Sequence, residues 1–540
     1  MRKLAMGLLV GMCAAGVCAP GAALAQTVAS GAQACAAIAK LSVPQTEIVQ
    51  AAVVDAGALD LHEEHPDPLF KKLPAICRVV AIARPSADSN IKIEVWLPLA
   101  GWNGKFMGAG NGGFAGSIGY EGMAGSVLTG FATGGTDTGH SGGGTDSDWA
   151  LGHPEKVVDF GNRAVHVMTE LSKTVVQAFY ASAAKHTYFS SCSDGGREAL
   201  MEAQRFPQDY DGILAGAPAY NWTNLISRAG ELARELQSSP EKYLPAGKVP
   251  AINRAVLAAC KKNEPGDFLA DPRACKFSPD SMVCKGAETD ACLTQAQANS
   301  VKALYANTNL KDGTLEYHGL LPGGELGGNG WPGWITGDSP NTSAGHAYAE
   351  GYFRNLVYAD PHWDLSTFDL DRDLKAAQQK TGQALDAVSP DLRAFHARGG
   401  KLILYHGWND PAISPLGTLD YYNGVEQALG PQQTQEFVRL FLVPGMQHCG
   451  GGPGPAEFGQ FGASFNPDLD NAAHNITFAL LDWVDKGTAP EQVIARGNTD
   501  ASGAGKGVGF AQPICAYPKS AIYKGSGDKK DAGSYRCATK

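Results

Sequence analysis

Short apolar runs alternate along this chain with longer segments in which apolar residues recur every three or four positions. Residues 91–98 begin Ile-Lys-Ile-Glu-Val, an alternation typical of a half-buried strand. Residues 155–184 place Val157, Val165 and Met168 at helical spacing. The predicted strands are 76–83, 91–98, 105–109, 186–191, 212–215, 401–405 and 438–443, and the predicted helices are 155–184, 196–206 and 472–486. Because strands and helices alternate, we predict an α/β domain built on a mostly parallel sheet.

The first residues have the pattern of a secretory signal peptide. Arg2 and Lys3 precede an apolar stretch, and Ala23-Leu24-Ala25 offers a small-residue cleavage site. We therefore predict a signal peptide over 1–25 and a secreted or periplasmic protein. Ten of the 12 cysteines follow this segment, and an even number of cysteines in an exported chain predicts disulfides.

The charge of the chain narrows the classes of partner. The formal net charge is −10 and the basic residues form no stripe, which argues against nucleic-acid binding. After the signal peptide, no segment is apolar over the ~20 residues that a membrane-spanning helix needs. The 67 glycines gather in loops such as 108–119 and 134–144, a pattern that favours clefts lined by backbone. We therefore expect a small-molecule ligand, and neither a nucleic acid nor a membrane as partner.

Two cysteines stand beside residues that could perform nucleophilic chemistry. Cys192 precedes Ser193, and Cys449 follows His448. A disulfide holds its two Cα atoms ~4.4–6.8 Å apart, so a Cys192–Cys449 bond would bring the serine and the histidine together. A serine hydroxyl becomes a useful nucleophile when a base lies within hydrogen-bond distance. Ser193 also lies between a predicted strand and a predicted helix, where a nucleophilic serine is exposed above a sheet.

The third member of a catalytic triad is predicted from the ends of two later strands. Asp410 follows strand 401–405 and His448 follows strand 438–443, and α/β sheets build their sites at these ends. The order Ser193, Asp410, His448 is that of α/β-hydrolases. His448 would then be the base and Asp410 its orienting acid. The backbone N–H of Asp194, with one from Gly112 or Gly113, would form the oxyanion hole. This set of residues predicts a secreted serine hydrolase.

Three alternatives compete with these assignments. Gly139-His140-Ser141-Gly142-Gly143 matches the letters of a Gly-x-Ser-x-Gly nucleophile motif, but the glycine-rich sequence after it does not favour a helix. We interpret it as a polar loop. His406 is a rival base, but it precedes the acid in the chain and has no cysteine beside it. Ser193 could also serve only as a helix N-cap.

Residues 220–392 interrupt the alternation of strands and helices. They lie between Ser193 and Asp410, where hydrolases of this kind carry a lid, so we predict a lid domain over 220–392 and a catalytic domain formed by 26–219 and 393–540. Four cysteines in the segment allow three pairings. Short spacing favours Cys260–Cys275 and Cys284–Cys292 within the lid. The same argument pairs Cys35 with Cys77 and Cys515 with Cys537 outside it.

Nearly the whole mature chain resembles the tannase and feruloyl esterase family. The motifs that carry the resemblance are 110–113, 136–140, 192–196, 352–354, 360–364, 406–411 and 448–449. The resemblance implies an α/β-hydrolase core with a large lid. It also implies hydrolysis of aromatic acid esters, and we expect a feruloyl-esterase-like carboxylesterase acting on hydroxycinnamate esters. Tannase activity, on galloyl esters, and mono(2-hydroxyethyl) terephthalate hydrolysis are alternatives that share the catalytic parts.

The resemblance raises three further expectations. The lid usually shapes the acyl pocket in this family, which makes Trp331 and Trp334 candidate substrate contacts, although a lid core would also use tryptophans. A hypothesis from a different functional class is a protein that binds aromatic glycosides without catalysis, and the intact Ser, Asp and His set counts against it. Family lids commonly bind calcium in an Asp-rich loop, but Lys261 stands where the first carboxylate is expected. Asp267 and Asp271 remain as weak calcium candidates, too few for a cation that takes six to eight oxygens, so we expect that no cofactor is required.

Overall fold

The computed structural model describes residues 31–61, 67–460, 469–497 and 509–539, and the predicted signal peptide lies outside them. The strands are β1 Thr46–Val54, β2 Ile76–Ala83, β3 Ile91–Pro98, β4 Lys105–Ala109, β5 Ala132–Thr136, β6 His186–Cys192, β7 Gly212–Gly216, β8 Thr308–Asn309, β9 Leu315–Tyr317, β10 Lys401–Gly407, β11 Val438–Val443, β12 Gln492–Gly497, β13 Phe510–Cys515, β14 Ser520–Tyr523 and β15 Tyr535–Ala538. The α-helices are α1 Gly31–Ile38, α2 Tyr120–Leu128, α3 Pro154–Val158, α4 Ala164–Tyr180, α5 Asp194–Arg205, α6 Trp222–Gln237, α7 Val249–Cys260, α8 Gln295–Tyr305, α9 Ala344–Gly351, α10 Leu370–Ala377, α11 Gln383–Leu385, α12 Arg393–Ala397, α13 Pro415–Leu429, α14 Pro431–Phe437 and α15 Ile476–Lys486. Among these described helices, none combines the length and the apolar character needed to cross a membrane.

The centre of the fold is a nine-stranded sheet in the order β1-β2-β3-β5-β4-β6-β7-β10-β11. The strands from β5 to β11 along this order pair in parallel, whereas β1, β2 and β3 form an antiparallel edge that joins β5. Helices α4, α5 and α13 cover one face, and α15 and α2 pack on the other. The prediction of a mostly parallel sheet in an α/β fold is confirmed.

The helix predicted over 155–184 is divided in the structure. A widened π-helical turn at Asp159–Arg163 separates α3 from α4, and α4 ends at Tyr180 because Ala181 has a left-handed φ of 52°. The turn directs the carbonyls of Phe160 and Gly161 to the Arg197 guanidinium, at 3.1 and 2.5 Å. A regular helix would use those carbonyls internally, so the break serves a contact with α5.

Residues 217–400, all of which the structure describes, contribute no strand to the central sheet. Of these, the residues between Tyr220 and Ala387 form a body of helices with its own core, and the two crossings of the chain into this body meet. The Ala387 N–H donates to the Tyr220 carbonyl at 2.7 Å, and Thr223 donates to the Asp386 carboxylate through its N–H and its hydroxyl, at 3.0 and 2.9 Å. We call this body the inserted segment and this junction its neck.

The ten cysteines of the described residues form five disulfides. They are Cys35–Cys77, Cys192–Cys449, Cys260–Cys275, Cys284–Cys292 and Cys515–Cys537, the pairs that the sequence predicts. Four of them close loops of 8 to 42 residues. Cys192–Cys449 differs, because it joins residues 257 positions apart at the carboxyl ends of β6 and β11.

Candidate active site

Ser193 occupies a sharp turn between β6 and α5. Its backbone has φ +65° and ψ −122°, a conformation that side-chain-bearing residues rarely adopt outside strained functional turns. The turn is tight enough to require glycine after the serine, since a Cβ on Gly196 would lie 2.3 Å from the Gly216 carbonyl. The Ser193 N–H donates to that same carbonyl at 3.0 Å, which fixes the turn against β7. The serine side chain is thereby held above the end of the sheet.

The three predicted catalytic side chains form one hydrogen-bonded chain. The distance from Ser193 Oγ to His448 Nε2 is 2.9 Å, and His448 Nδ1 lies 2.8 Å from Asp410 Oδ2. These contacts fix the roles of the two ring nitrogens, because Nδ1 donates to the carboxylate and leaves Nε2 free to accept the serine proton. The serine is half-buried, whereas the histidine is 8% and the aspartate 2% exposed, so water has access mainly at the serine.

Asp410 is held as a carboxylate by every group around it. Burial alone would raise its pKa, but the charge and hydrogen bonds of His448 and His406 lower the pKa well below its usual range. The other carboxylate oxygen accepts from the N–H groups of Ala412 and Ile413 at 2.8 and 2.9 Å. A carboxylate with this many donors stays ionised through the whole range of working pH.

His406, the rival base, supports the acid instead of the serine. Its Nε2 lies 3.1 Å from Asp410 Oδ2 and its Nδ1 lies 2.7 Å from the Thr418 hydroxyl. The side chain is completely buried, and its hydrogen bonds go to Thr418, Asp410 and Ile413 and not to Ser193. It therefore orients Asp410.

The predicted disulfide lies directly beside the serine–histidine contact. The Cα atoms of Cys192 and Cys449 are 5.9 Å apart, and Cys449 has a left-handed φ of +61°. The bond joins the residue before Ser193 to the residue after His448. It therefore ties the turn that carries the serine to the loop that carries the base.

The loop after β4 lies across the turn from Ser193. The Asn111 carbonyl accepts the Gly195 N–H at 3.0 Å, and the Asn111 N–H donates to Glu198 Oε2 at 3.0 Å. Further along the loop, the Phe114 N–H donates a hydrogen bond to the Gly144 carbonyl at 2.7 Å. Gly112 and Gly113 lie between these two amides and line the cleft beside the serine. The structure thus brings both candidate glycines to the site, with Asp194 at the start of α5.

The Gly-x-Ser-x-Gly look-alike is a loop that supports the oxyanion loop. Ser141 is exposed and no helix follows it. Its neighbour His140 is buried, stacks on Trp149 at 3.7 Å and lies with Nε2 2.7 Å from the Phe114 carbonyl. Burial lowers the pKa of His140 to about 4, so the ring is neutral and its Nε2–H donates to that carbonyl at neutral pH. The sequence marked this histidine by its place in the look-alike and in the family motif 136–140, and neither gave its role.

Two cavities meet at Ser193 and His448. One is an open cleft of about 1400 Å³ that runs past Gly110, Tyr120 and Gly459. The other is a small pocket of about 90 Å³ between the triad and the inserted segment. Its lining is mostly apolar: Ala219, Trp222, Leu225, Ile226, Ala229, Leu232, Ala233, Leu236, Tyr317, Leu320, Trp334, Ile335, Tyr348 and Ile413. Half of this set comes from α6, which the sequence pattern had not singled out, whereas Trp334 was a predicted substrate contact.

Of the two tryptophan candidates, only one reaches the site. Trp334 lines both cavities, and its ring lies edge-on to His448 at 4.9 Å between ring centroids. Trp331 is 0% exposed and packs on Tyr305 inside the core of the inserted segment. The prediction of a substrate contact for Trp331 is therefore corrected, because the chain at Pro332–Thr336 is a π-helical turn, wider than an α-helix, and the two indoles leave it in different directions.

The loop between Cys260 and Cys275 does not fit a calcium site. The carboxylate of Asp267 pairs with the Lys261 ammonium at 2.6 Å, and that of Asp271 pairs with Arg273 at 2.9 Å. Glu264 accepts the N–H groups of Lys262 and Ala270 at 2.8 and 3.3 Å. The acidic oxygens of this loop are thus directed at protein cations and amides, whereas calcium requires six to eight oxygens around one point.

Comparison with known proteins agrees with this geometry. Residues 77–538 match the family model described as tannase and feruloyl esterase. The chain is 39% identical over 496 residues to an uncharacterized esterase of Xanthomonas campestris pv. campestris, covering 86% of this chain and 84% of that protein. It is 32% identical over 470 residues to probable feruloyl esterase B-2 of Aspergillus terreus, with 86% of each covered. The crystal structure of feruloyl esterase B from Aspergillus oryzae superposes with a TM-score of 0.85 at 29% identity, covering 94% of this chain and 100% of that one.

Proposed function

We propose that this chain, which belongs to the tannase and feruloyl esterase family and is a carboxylic ester hydrolase, cleaves esters of hydroxycinnamic acids through an acyl-enzyme on Ser193. The observation that carries the proposal is the hydrogen-bonded chain from Ser193 Oγ through His448 to Asp410, at 2.9 and 2.8 Å.

The reaction follows from the positions of the protons in that chain. As Ser193 Oγ attacks the ester carbonyl carbon, its proton passes to His448 Nε2, and Asp410 stabilises the imidazolium. The carbonyl oxygen becomes an oxyanion beside the N–H groups of Asp194 and of Gly112 or Gly113, where one well-placed donor contributes on the order of 10²–10³-fold in rate. His448 then gives its proton to the departing alcohol oxygen. Water attacks the acyl-enzyme by the same steps and releases the acid.

The small apolar pocket supports an uncharged aromatic acyl group. Arg228, the arginine in its lining, is already bonded through its guanidinium to the Thr308 hydroxyl and to the carbonyls of Ala303, Leu304 and Ala306. His318 and His346, which also line it, pair with Asp420 and Glu350. A terephthalate carboxylate could use the charge of Arg228 only by displacing its four hydrogen bonds to neutral oxygens, and His318 or His346 only by displacing a carboxylate. Burying a carboxylate that stays unpaired is costly. Hydroxycinnamate carries no such charge on its ring, and gallate has more ring hydroxyls to satisfy against a mostly apolar wall.

The wide cleft supports a bulky alcohol on the opposite side of the scissile bond. Its volume of about 1400 Å³ greatly exceeds that of the acyl pocket, and its rim carries Asp67, Glu121, Glu457, His474 and Arg496. Such polar groups suit a hydroxylated alcohol. The proposal therefore assigns the small pocket to the acid and the cleft to the alcohol.

The compartment and the cofactor requirement are also part of the proposal. Five disulfides support an oxidising compartment, hence a secreted or periplasmic enzyme. The ion pairs of Asp267 and Asp271 support catalysis without calcium.

The test is product release, followed by chromatography, from methyl ferulate, methyl gallate and mono(2-hydroxyethyl) terephthalate. We expect methyl ferulate to give the highest kcat/KM, and Ser193→Ala to abolish turnover of every ester. Ser141→Ala is the matched control, because this serine is exposed in the look-alike loop, and it should retain activity. Preference for gallate or terephthalate would replace the acyl assignment. A folded protein that binds an aromatic glycoside and cleaves none of the three esters would refute the enzyme in favour of a binding protein.

A further inference from the structure

Glu198 is a fully buried acid on α5, one helical turn after Asp194. It contacts neither the triad nor either cavity among the described residues. Charged side chains are almost never fully buried unless they are paired, and no ion pair forms on this one in the described chain. The burial of this acid without an ion pair therefore indicates a specific role.

One side of the Glu198 carboxyl holds the oxyanion loop. Oε2 accepts the Asn111 N–H at 3.0 Å, the amide immediately before Gly112. The loop backbone lies so close that a Cβ on Gly110 would be 2.6 Å from this oxygen. Asn111 is fixed further by its side-chain amide, which donates to the Ser117 and Thr136 carbonyls at 2.7 and 2.8 Å.

The other oxygen of the Glu198 carboxyl is unpartnered, and the side chain lies one helical turn from Asp194, whose N–H is the second candidate donor of the oxyanion hole. Positions four apart on a helix share a face, so Asp194 and Glu198 are neighbours. Each has one buried oxygen without a hydrogen-bond partner, Oδ2 of Asp194 and Oε1 of Glu198. The second oxygen of Asp194 accepts from Arg197 at 2.6 Å. Burial raises the pKa of Asp194, and the Arg197 charge and hydrogen bond oppose that rise by favouring the carboxylate. A single proton on Glu198 would satisfy both unpartnered oxygens.

We propose that Glu198 is a positioning residue that holds the two halves of the oxyanion hole together, accepting the Asn111 N–H and donating its carboxyl proton to Asp194. The inference rests on the proposed esterase function. Glu198 touches no reacting atom and acts through the backbone of Gly112, Gly113 and Asp194.

The electrostatics around Glu198 favour the acid form that this bridge needs. Burial, and then the charge of Asp194, raise the pKa of Glu198 to about 8. The other groups that interact with it are Arg197 and Glu202 on the same helix and Tyr210, which precedes β7. Above pH 8 the proton would be lost and the two carboxylates would repel each other, which separates the two sides of the hole.

The experiment compares Glu198→Gln with Glu198→Ala in the full chain, using methyl ferulate. The glutamine amide can still accept from Asn111 and donate to Asp194, so we expect a kcat within threefold of wild type. The alanine removes the bridge, and we expect kcat to fall on the order of 10- to 100-fold with KM within threefold, since a misplaced oxyanion donor affects the transition state more than substrate binding. Wild-type kcat should also decline above about pH 8, and the glutamine variant should not.

Glu202→Ala is the matched control, because Glu202 is an equally buried acid one turn further along α5 and lies away from the loop. It should lower the melting temperature and leave kcat within threefold. An equal loss of kcat in both alanine variants would assign the effect to helix packing and overturn the proposal. If Glu198→Ala does not fold, identical alkaline profiles of wild type and Glu198→Gln would overturn it. A folded Glu198→Ala with wild-type kcat would do so as well. Ser193→Ala, measured in parallel, tests the esterase mechanism independently, so the two failures are distinguishable.

Discussion

Removing the Cys192–Cys449 disulfide should reduce catalysis more than its effect on stability explains. The perturbation is the double substitution Cys192→Ala and Cys449→Ala. The bond closes a loop of 257 residues, for which the chain-entropy relation gives about 5.5 kcal/mol of stabilisation. The two short disulfides inside this loop, of 15 and 8 residues, change that figure by only ~0.1 kcal/mol, because the relation is logarithmic.

The catalytic loss has a separate origin. The bond connects the residues beside Ser193 and His448, whose 2.9 Å contact is the path of the proton. Without the bond, the strained backbone of Ser193 and of Cys449, with φ of 65° and 61°, loses a constraint. A displacement of about 1 Å at a reacting centre costs on the order of 10²-fold in rate. We therefore expect kcat to fall roughly 10- to 100-fold.

The assay separates the two effects with a second disulfide. Cys35→Ala/Cys77→Ala opens a loop of 42 residues at the far edge of the sheet, for which the same relation gives about 4 kcal/mol. Both variants should melt earlier than wild type, but only the first should lose kcat when both are assayed well below their melting temperatures. A folded Cys192→Ala/Cys449→Ala protein with kcat within twofold of wild type would refute the reasoning.

Three further predictions concern Trp334, the calcium candidates and Glu198. Trp334→Ala should raise KM for methyl ferulate severalfold in steady-state kinetics, because the indole lines both cavities beside His448, and an unchanged KM would exclude it as a substrate contact. Chelation with EDTA should leave the melting temperature and kcat unchanged, since Lys261 already neutralises Asp267, and a loss restored by calcium would contradict this. Glu198→Gln should stabilise the fold increasingly as pH rises from 4.5 to 8. In that window the folded wild type retains a proton that the unfolded chain releases, so wild-type stability falls with pH, by at most about 5 kcal/mol. Denaturant unfolding at pH 5 and pH 8 measures this difference, and equal shifts at both pH values would contradict it.

The sequence predicted those parts of the site that depend on order and adjacency. Ser193, Asp410 and His448 follow the apolar strands β6, β10 and β11, and parallel strands place their carboxyl ends at one edge of a sheet. The cysteines beside the serine and the histidine gave the long-range contact that periodicity alone does not give. The apolar strand pattern therefore predicted the sheet apart from β1 and β5, and the chain order with the two cysteines predicted the triad.

The parts that sequence reasoning missed depend on close packing. Strand β5 reads Ala-Thr-Gly-Gly-Thr and has no apolar alternation, because a Cβ on Gly134 would lie 2.4 Å from the Ser172 hydroxyl. Glu198 resembles an ordinary solvent-facing acid of an amphipathic helix, and its one signal is its spacing from Asp194. Trp331 and Trp334 cannot be told apart without the direction of the turn that carries them.

The neck of the inserted segment makes that segment an exchangeable unit. Because Tyr220 and Ala387 are hydrogen-bonded at 2.7 Å, the chain leaves and re-enters the catalytic body at one point. Insert length is then nearly neutral for the scaffold, since doubling a closed loop costs only ~0.6 kcal/mol. The triad lies outside the inserted segment, whereas much of the lining of the proposed acyl pocket belongs to that segment. Evolution, or a chimera joined at these two residues, can therefore replace the wall of the proposed acyl pocket while leaving the triad in place.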